Sequence, residues 1–188
     1  MPCCLAAENG RQNARFQWMD AEDLRVEDQA FEVVLCALGL MYMPDPRKAL
    51  TEMYRALKPG GRAVCSVWGA HEHCGWADIF EIVDRHVASE VCPMFFQLGR
   101  PQMLELNFKA AGFTDISIDR ITTSLHYRDD REALGAAFDG GPVALAYHKF
   151  NDEVKDIVHN DYLASIARYR REGGYAIPGE FVIARGER

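Results

Sequence analysis

Tyr42, Trp68, Trp76 and Phe96 are the side chains best suited to wall a pocket for a small organic molecule. Flat rings stack on flat ligands and exclude water. Aromatics at helical or strand spacing fill cores equally well, and the sequence leaves both readings open. Tyr42 and His71 are the nearby groups that can exchange a proton with such a molecule. His71-x-His73-Cys74, with Cys92 later, has the ligand types that zinc uses. A second closely spaced pair is missing, so the expectation is a polar loop and no metal. His126, His148 and His159 have no serine or cysteine beside them in a nucleophile setting, and there is no G-x-S-x-G. Asp129-Asp130 and Asp152-Glu153 read as helix starts, where acidic residues meet the positive end of the dipole. Tyr147, Tyr162 and Tyr169 read as packing or interface residues, and Arg168-Tyr169-Arg170-Arg171 as a basic helix end.

These residues need elements to position them. Residues 3–9 read as the tail of a helix capped by Gly10. Ala14–Met19 alternates as a strand, with Phe16 and Trp18 on one face, and Asp20–Leu24 turns. Phe31–Ala37 is a continuous apolar run, expected as a strand covered on both faces. Asp45-Pro46 opens a helix with Ala49, Leu50, Met53 and Leu57 on one face, and Lys58-Pro59-Gly60-Gly61 stops it. Ala63–Trp68 is the next buried strand. The order strand, helix, strand predicts a parallel pair joined by a right-handed crossover. Further on, helices are expected at 76–87, 100–111, 130–138 and 151–171, strands at 114–127 and 181–185, and irregular chain at 88–100.

The 188 residues are 48% hydrophobic and 26% charged, as in ordinary globular chains, and are read as one domain. A net charge of −7 excludes the basic surface that nucleic-acid binding requires. No apolar run is long enough to cross a bilayer, and the first residues lack the pattern of a signal peptide. The expectation is a cytoplasmic protein without membrane partners. The six scattered cysteines, two of them in strand-like runs (Cys36 and Cys65), read as reduced buried thiols.

Four patterns in order carry a resemblance. They are Met19-Asp20-Ala21-Glu22-Asp23-Leu24, the run Phe31–Asp45, Ala56-Leu57-Lys58-Pro59-Gly60-Gly61, and the tail Ala110–Asp115 with Ala184-Arg185-Gly186. Together they resemble the class I S-adenosylmethionine-dependent methyltransferases. Trp68-Gly69 and Cys74-Gly75-Trp76 suggest the branch similar to ubiquinone and menaquinone methyltransferases. The resemblance implies an α/β fold, a Rossmann-like sheet with helices on both faces and antiparallel C-terminal strands. It divides the domain into a cofactor-side core at 1–68 and an acceptor side at 69–188. It implies that S-adenosylmethionine meets Asp20 and Ala21 through its adenine, and Ala37, Leu38 and Tyr42 through its methionine part. Met41, Trp68, Trp76 and Phe96 are then the candidates for contact with a small-molecule methyl acceptor.

The chain departs from that family in one respect. It contains no G-x-G-x-G loop, nor the acidic strand end that holds the ribose. The expectation is a truncated sheet without its first two strands, so that Phe31–Ala37 has an open edge. A second copy of the chain covering that edge, impaired cofactor binding, and a non-catalytic binding module are the corresponding expectations.

Overall fold

The computed structural model describes residues 8–10, 13–88 and 92–188. Its elements are β1 (Phe31–Ala37), α1 (Pro46–Ala56), β2 (Leu57–Trp68), α2 (Ile79–Asp84), α3 (Met103–Ala110) and β3 (Thr114–Tyr127). They continue with α4 (Asp130–Leu134), α5 (Ala144–Tyr147), α6 (Asp152–Ile166), β4 (Arg170–Arg171) and β5 (Gly174–Glu187).

One sheet runs β1-β2-β5-β3, with β4 added to β5. The β1–β2 pair is parallel and the β2–β5 and β3–β5 pairs are antiparallel. This is the Rossmann-like α/β arrangement with antiparallel closing strands that the sequence implied. Alternation divides β2 between the two faces. Ala63, Cys65 and Val67 are buried on one face, where Cys65 meets Met53 of α1. Trp68 points to the other, where its ring meets Trp76.

Local chemistry sets the helix boundaries. Asp45 caps α1 by accepting the Lys48 N–H at 3.0 Å, and Pro46 stands at its first position. Asp129 and Asn151 cap α4 and α6 in the same way. Gly112 ends α3 in a conformation that L side chains rarely adopt (φ +102°).

Several expectations change. Ala14–Met19 is not a strand: Phe16 is exposed and Trp18 is 100% exposed. A strand needs a neighbour, and no described strand pairs with the free edge of β1. The Phe31–Ala37 strand forms but is not covered on both faces, because Phe31, Val33 and Leu35 are exposed, Leu35 at 71%. The helix expected at 76–87 shrinks to α2, flanked by turns. The helix expected at 130–138 continues past α4 as a π-helical turn over Gly135–Asp139. The helix expected at 3–9 falls largely outside the described residues, although Gly10 has the positive φ of a cap. The short helix α5 was not foreseen. Among the described residues no helix is long and apolar enough to cross a membrane.

Candidate functional site

The turn bearing Asp20 and Ala21 is tied down from both ends. Asp20 accepts the Glu22 N–H at 2.9 Å on its carboxylate and the Asp23 N–H at 3.2 Å on its carbonyl. Glu22 accepts the Asp45 N–H at 2.8 Å, joining the turn to the start of α1. Arg55 of α1 donates to the carbonyls of Leu24 and Val26 at 2.8 and 2.9 Å, and Glu52 accepts the Leu24 N–H at 2.9 Å. A loop without regular structure is thereby fixed by charged hydrogen bonds to a helix.

The chain leaves β1 through a strained turn. Leu38 has φ +53°, a conformation costing a non-glycine residue of order 1–2 kcal/mol. Its N–H is shared between the Ser66 carbonyl at 2.9 Å and the Ser66 hydroxyl at 3.2 Å. Leu40–Tyr42 then make a 3-10 turn that buries Leu40 and Met41 and leaves Tyr42 at the surface, edge-on to Phe95 at 5.4 Å. Carboxyl ends of parallel strands are where open α/β sheets bind ligands. Ala37 is exposed there.

Behind this turn lies a cavity of about 260 Å³. Leu38, Met41, Tyr42, Trp68 and Trp76 line it, so the structure brings five of the sequence candidates to one wall. Trp68 and Trp76 meet edge-on at 5.0 Å, and Trp68 stacks on Phe181 at 4.3 Å. The opposite wall holds Tyr127, Tyr162 and the Gly140-Gly141-Pro142 segment. The sequence reading did not place these in a site, because they come from β3, α6 and a distant turn with no shared motif. No charged side chain lines the cavity. Burial pushes the phenols of Tyr42, Tyr127 and Tyr162 above their ordinary value, so all three are neutral hydroxyls near pH 7. The walls are therefore flat, apolar and uncharged, with hydroxyls as the polar points.

The other candidates lie elsewhere. Phe96 packs on Trp76 at 5.6 Å in an aromatic cluster with Phe80 and Phe95 rather than on the cavity wall. His71 is edge-on to Phe96 at 5.2 Å. His73 meets Glu180 at 3.0 Å, and Glu180 also accepts from Arg120 at 2.7 Å. Asp20, Ala21 and Ala37 do not line the cavity. A larger groove of about 400 Å³ adjoins it and shares Met41, with Met43, Met94 and Met103 among its other walls. That groove lacks aromatic walls, and the smaller cavity is the better candidate because the strained turn opens onto it.

Residues 3–65 match a methyltransferase domain family. Over 52 residues the chain is 46% identical to the ubiquinone/menaquinone biosynthesis C-methyltransferase UbiE of Idiomarina loihiensis. That stretch is 28% of this chain and 21% of the relative, about a fifth of its length. In fold, 98% of the chain superposes on 75% of a Bacillus halodurans protein assigned to the methyltransferases, with TM-score 0.60 and 17% identity. It also superposes, over 98% of its length and 60% of the other chain, on the [4+2]-cyclase SpnF, with TM-score 0.54 and 20% identity. At such identities the likeness is one of fold, and the cyclase shows that the fold also serves other chemistry.

Proposed function

We propose that the chain, whose fold and first third are similar to class I S-adenosylmethionine-dependent methyltransferases, serves methyl transfer to a small, flat, uncharged acceptor. The observation that carries this reading is the shared wall. The loop expected to meet the methionine part of the cofactor (Leu38, Tyr42) and the residues expected to meet the acceptor (Met41, Trp68, Trp76) line one cavity.

The residues present fit one side of the cofactor. Asp20 and Ala21, the residues that the resemblance assigns to the adenine, stand on a fixed turn, and Leu38 and Tyr42, assigned to the methionine part, flank the turn after β1. Neither a glycine loop nor a ribose carboxylate is supplied by the described residues, so the opposite side has to come from outside them. When bound, S-adenosylmethionine supplies an electrophilic methyl group. The protein's part is then to orient and desolvate. Trp68 and Trp76 press on a flat acceptor, and Tyr42 donates a hydrogen bond to its oxygen. The raised phenol works against Tyr42 as a base.

Calorimetric titration of the purified 188-residue protein with S-adenosylmethionine and S-adenosylhomocysteine tests this. A half-site binds with Kd weaker than about 1 μM, corresponding to about 8 kcal/mol. Tighter binding by a monomer overturns the half-site. Absence of binding at millimolar cofactor overturns the methyl-transfer reading.

The open β1 edge favours a second reading, a methyltransferase-like module that assembles through this strand. The occupant proposed is a second copy. Antiparallel pairing of two β1 strands about Val34 sets Glu32 opposite Cys36 and Phe31 opposite Ala37, with no like charges facing. The mass in solution decides, and a monomer at high micromolar concentration rejects it.

A further inference from the structure

The structure assigns Cys36 and Cys65 as a redox modification site, in which a peroxide joins the two sulfurs as a cross-strand disulfide. Cys36 of β1 and Cys65 of β2 are directly paired in the parallel register. Neighbouring strands lie about 4.8 Å apart, within the 4.4–6.8 Å that a disulfide spans between Cα atoms. Paired residues point to the same face, and the Cys65 thiol lies against the Met53 sulfur at 3.9 Å on the α1 side. Both cysteines are free thiols.

The two have different access. Cys65 is fully buried, whereas Cys36 is half-buried on the edge strand. Cys36 is therefore the thiol that meets the oxidant and Cys65 the one that resolves it. Donation from the Cys65 thiol, and from the backbone N–H groups of Gly39 and Leu40, draws Cys36 down to about 7 despite burial. A substantial thiolate fraction follows at neutral pH. The turn lies close against this sulfur, since a Cβ on Gly39 would stand 3.1 Å from it.

The chemistry balances. The Cys36 thiolate attacks one oxygen of hydrogen peroxide and, with one proton taken up, yields a sulfenic acid and water. The Cys65 sulfur then attacks Cys36 sulfur and expels hydroxide, which takes the Cys65 proton and leaves as water. Two thiols are oxidised and one peroxide is reduced to two waters.

The test is brief treatment of the full chain with equimolar hydrogen peroxide, alkylation of remaining thiols, and peptide mapping by mass spectrometry. The expected product is a linked pair of peptides carrying Cys36 and Cys65, lighter by two hydrogens and restored by dithiothreitol. Cys65→Ser should leave Cys36 as a sulfenic acid that dimedone captures. Full alkylation of both thiols after peroxide, or a linkage of Cys36 to another cysteine, overturns the assignment. The wild-type map alone decides the matter if the variant fails to fold.

Discussion

Arg55 grips Glu52 with both arms of its fork: Nε reaches Oε1 at 3.0 Å and Nη2 reaches Oε2 at 2.8 Å. The same guanidinium holds the Leu24 and Val26 carbonyls, so one residue of α1 fixes the turn that presents Asp20. Arg55→Ala removes these bonds and leaves Glu52 without its cation. The expected loss is about 2 kcal/mol by urea denaturation, with new proteolytic cleavage between residues 20 and 30. Unchanged protease resistance there would show that the turn is held by something else.

The same pair makes stability depend on acid. The Arg55 hydrogen bond, helped by the Leu24 N–H, holds the Glu52 carboxyl below its usual range. A carboxylate depressed in the folded state contributes stability above its unfolded value of about 4.3 and loses it as pH falls through the folded value. Glu52→Gln should lower stability at pH 7 and flatten the fall below pH 4. A parallel fall in both proteins on acidification argues against a role for Glu52.

Leu35→Glu probes the open face of β1. The side chain is largely in water, so the monomer should change by less than about 0.5 kcal/mol. If two chains associate through β1, the variant moves the sedimentation profile toward monomer. An identical dimer in both proteins would place the contact elsewhere.

The described sheet was legible where its signals are local. Asp45-Pro46 and Lys58-Pro59-Gly60-Gly61 bound a helix by capping and backbone chemistry alone, and α1 runs from Pro46 to Ala56. Phe16 and Trp18 alternate as well as any strand, yet pairing is a property of a neighbour. Phe31–Ala37 read as buried on both faces because its composition is that of a covered strand. What uncovers Leu35 is the absence of a packing partner among the described residues, which the run itself does not encode. In the cavity, Tyr42 and Trp68 stood out by type, whereas Tyr127 and Tyr162 sit 35 residues apart in chain. Only the packing of α6 against α2 and α4 brings Tyr162 to the cavity that Tyr127 and Trp76 also line.

Tyr175 is buried with its hydroxyl on Asp130 at 2.6 Å, and Arg170 reaches the same Asp130 oxygen at 2.6 Å. The Tyr175 bond first, then Arg170, lowers the Asp130 carboxyl. Tyr175→Phe should cost about 1 kcal/mol at pH 7, because Asp130 is half in water and its bonds are screened. That cost should shrink as pH falls through the lowered value of Asp130, because protonation of the carboxyl in the folded state gives up the advantage that the Tyr175 hydroxyl supplies. A cost independent of pH would locate the effect in packing.

Trp76 holds the last relationship that can be tested directly. The residue is 8% exposed and its indole Nε1 is buried with no hydrogen-bond partner. A buried N–H without a partner costs about 1–3 kcal/mol relative to water. Trp76→Phe removes that donor while keeping a ring against Trp68 and Phe96. It also leaves a small void, and the two effects oppose each other. The expected net change is within about 1 kcal/mol. Phe80→Ala, in the same cluster, offers no such relief and should cost about 3–5 kcal/mol. If Trp76→Phe proves as damaging as Phe80→Ala, the indole N–H has a partner in solution, and a water in the cavity beside it becomes the first candidate.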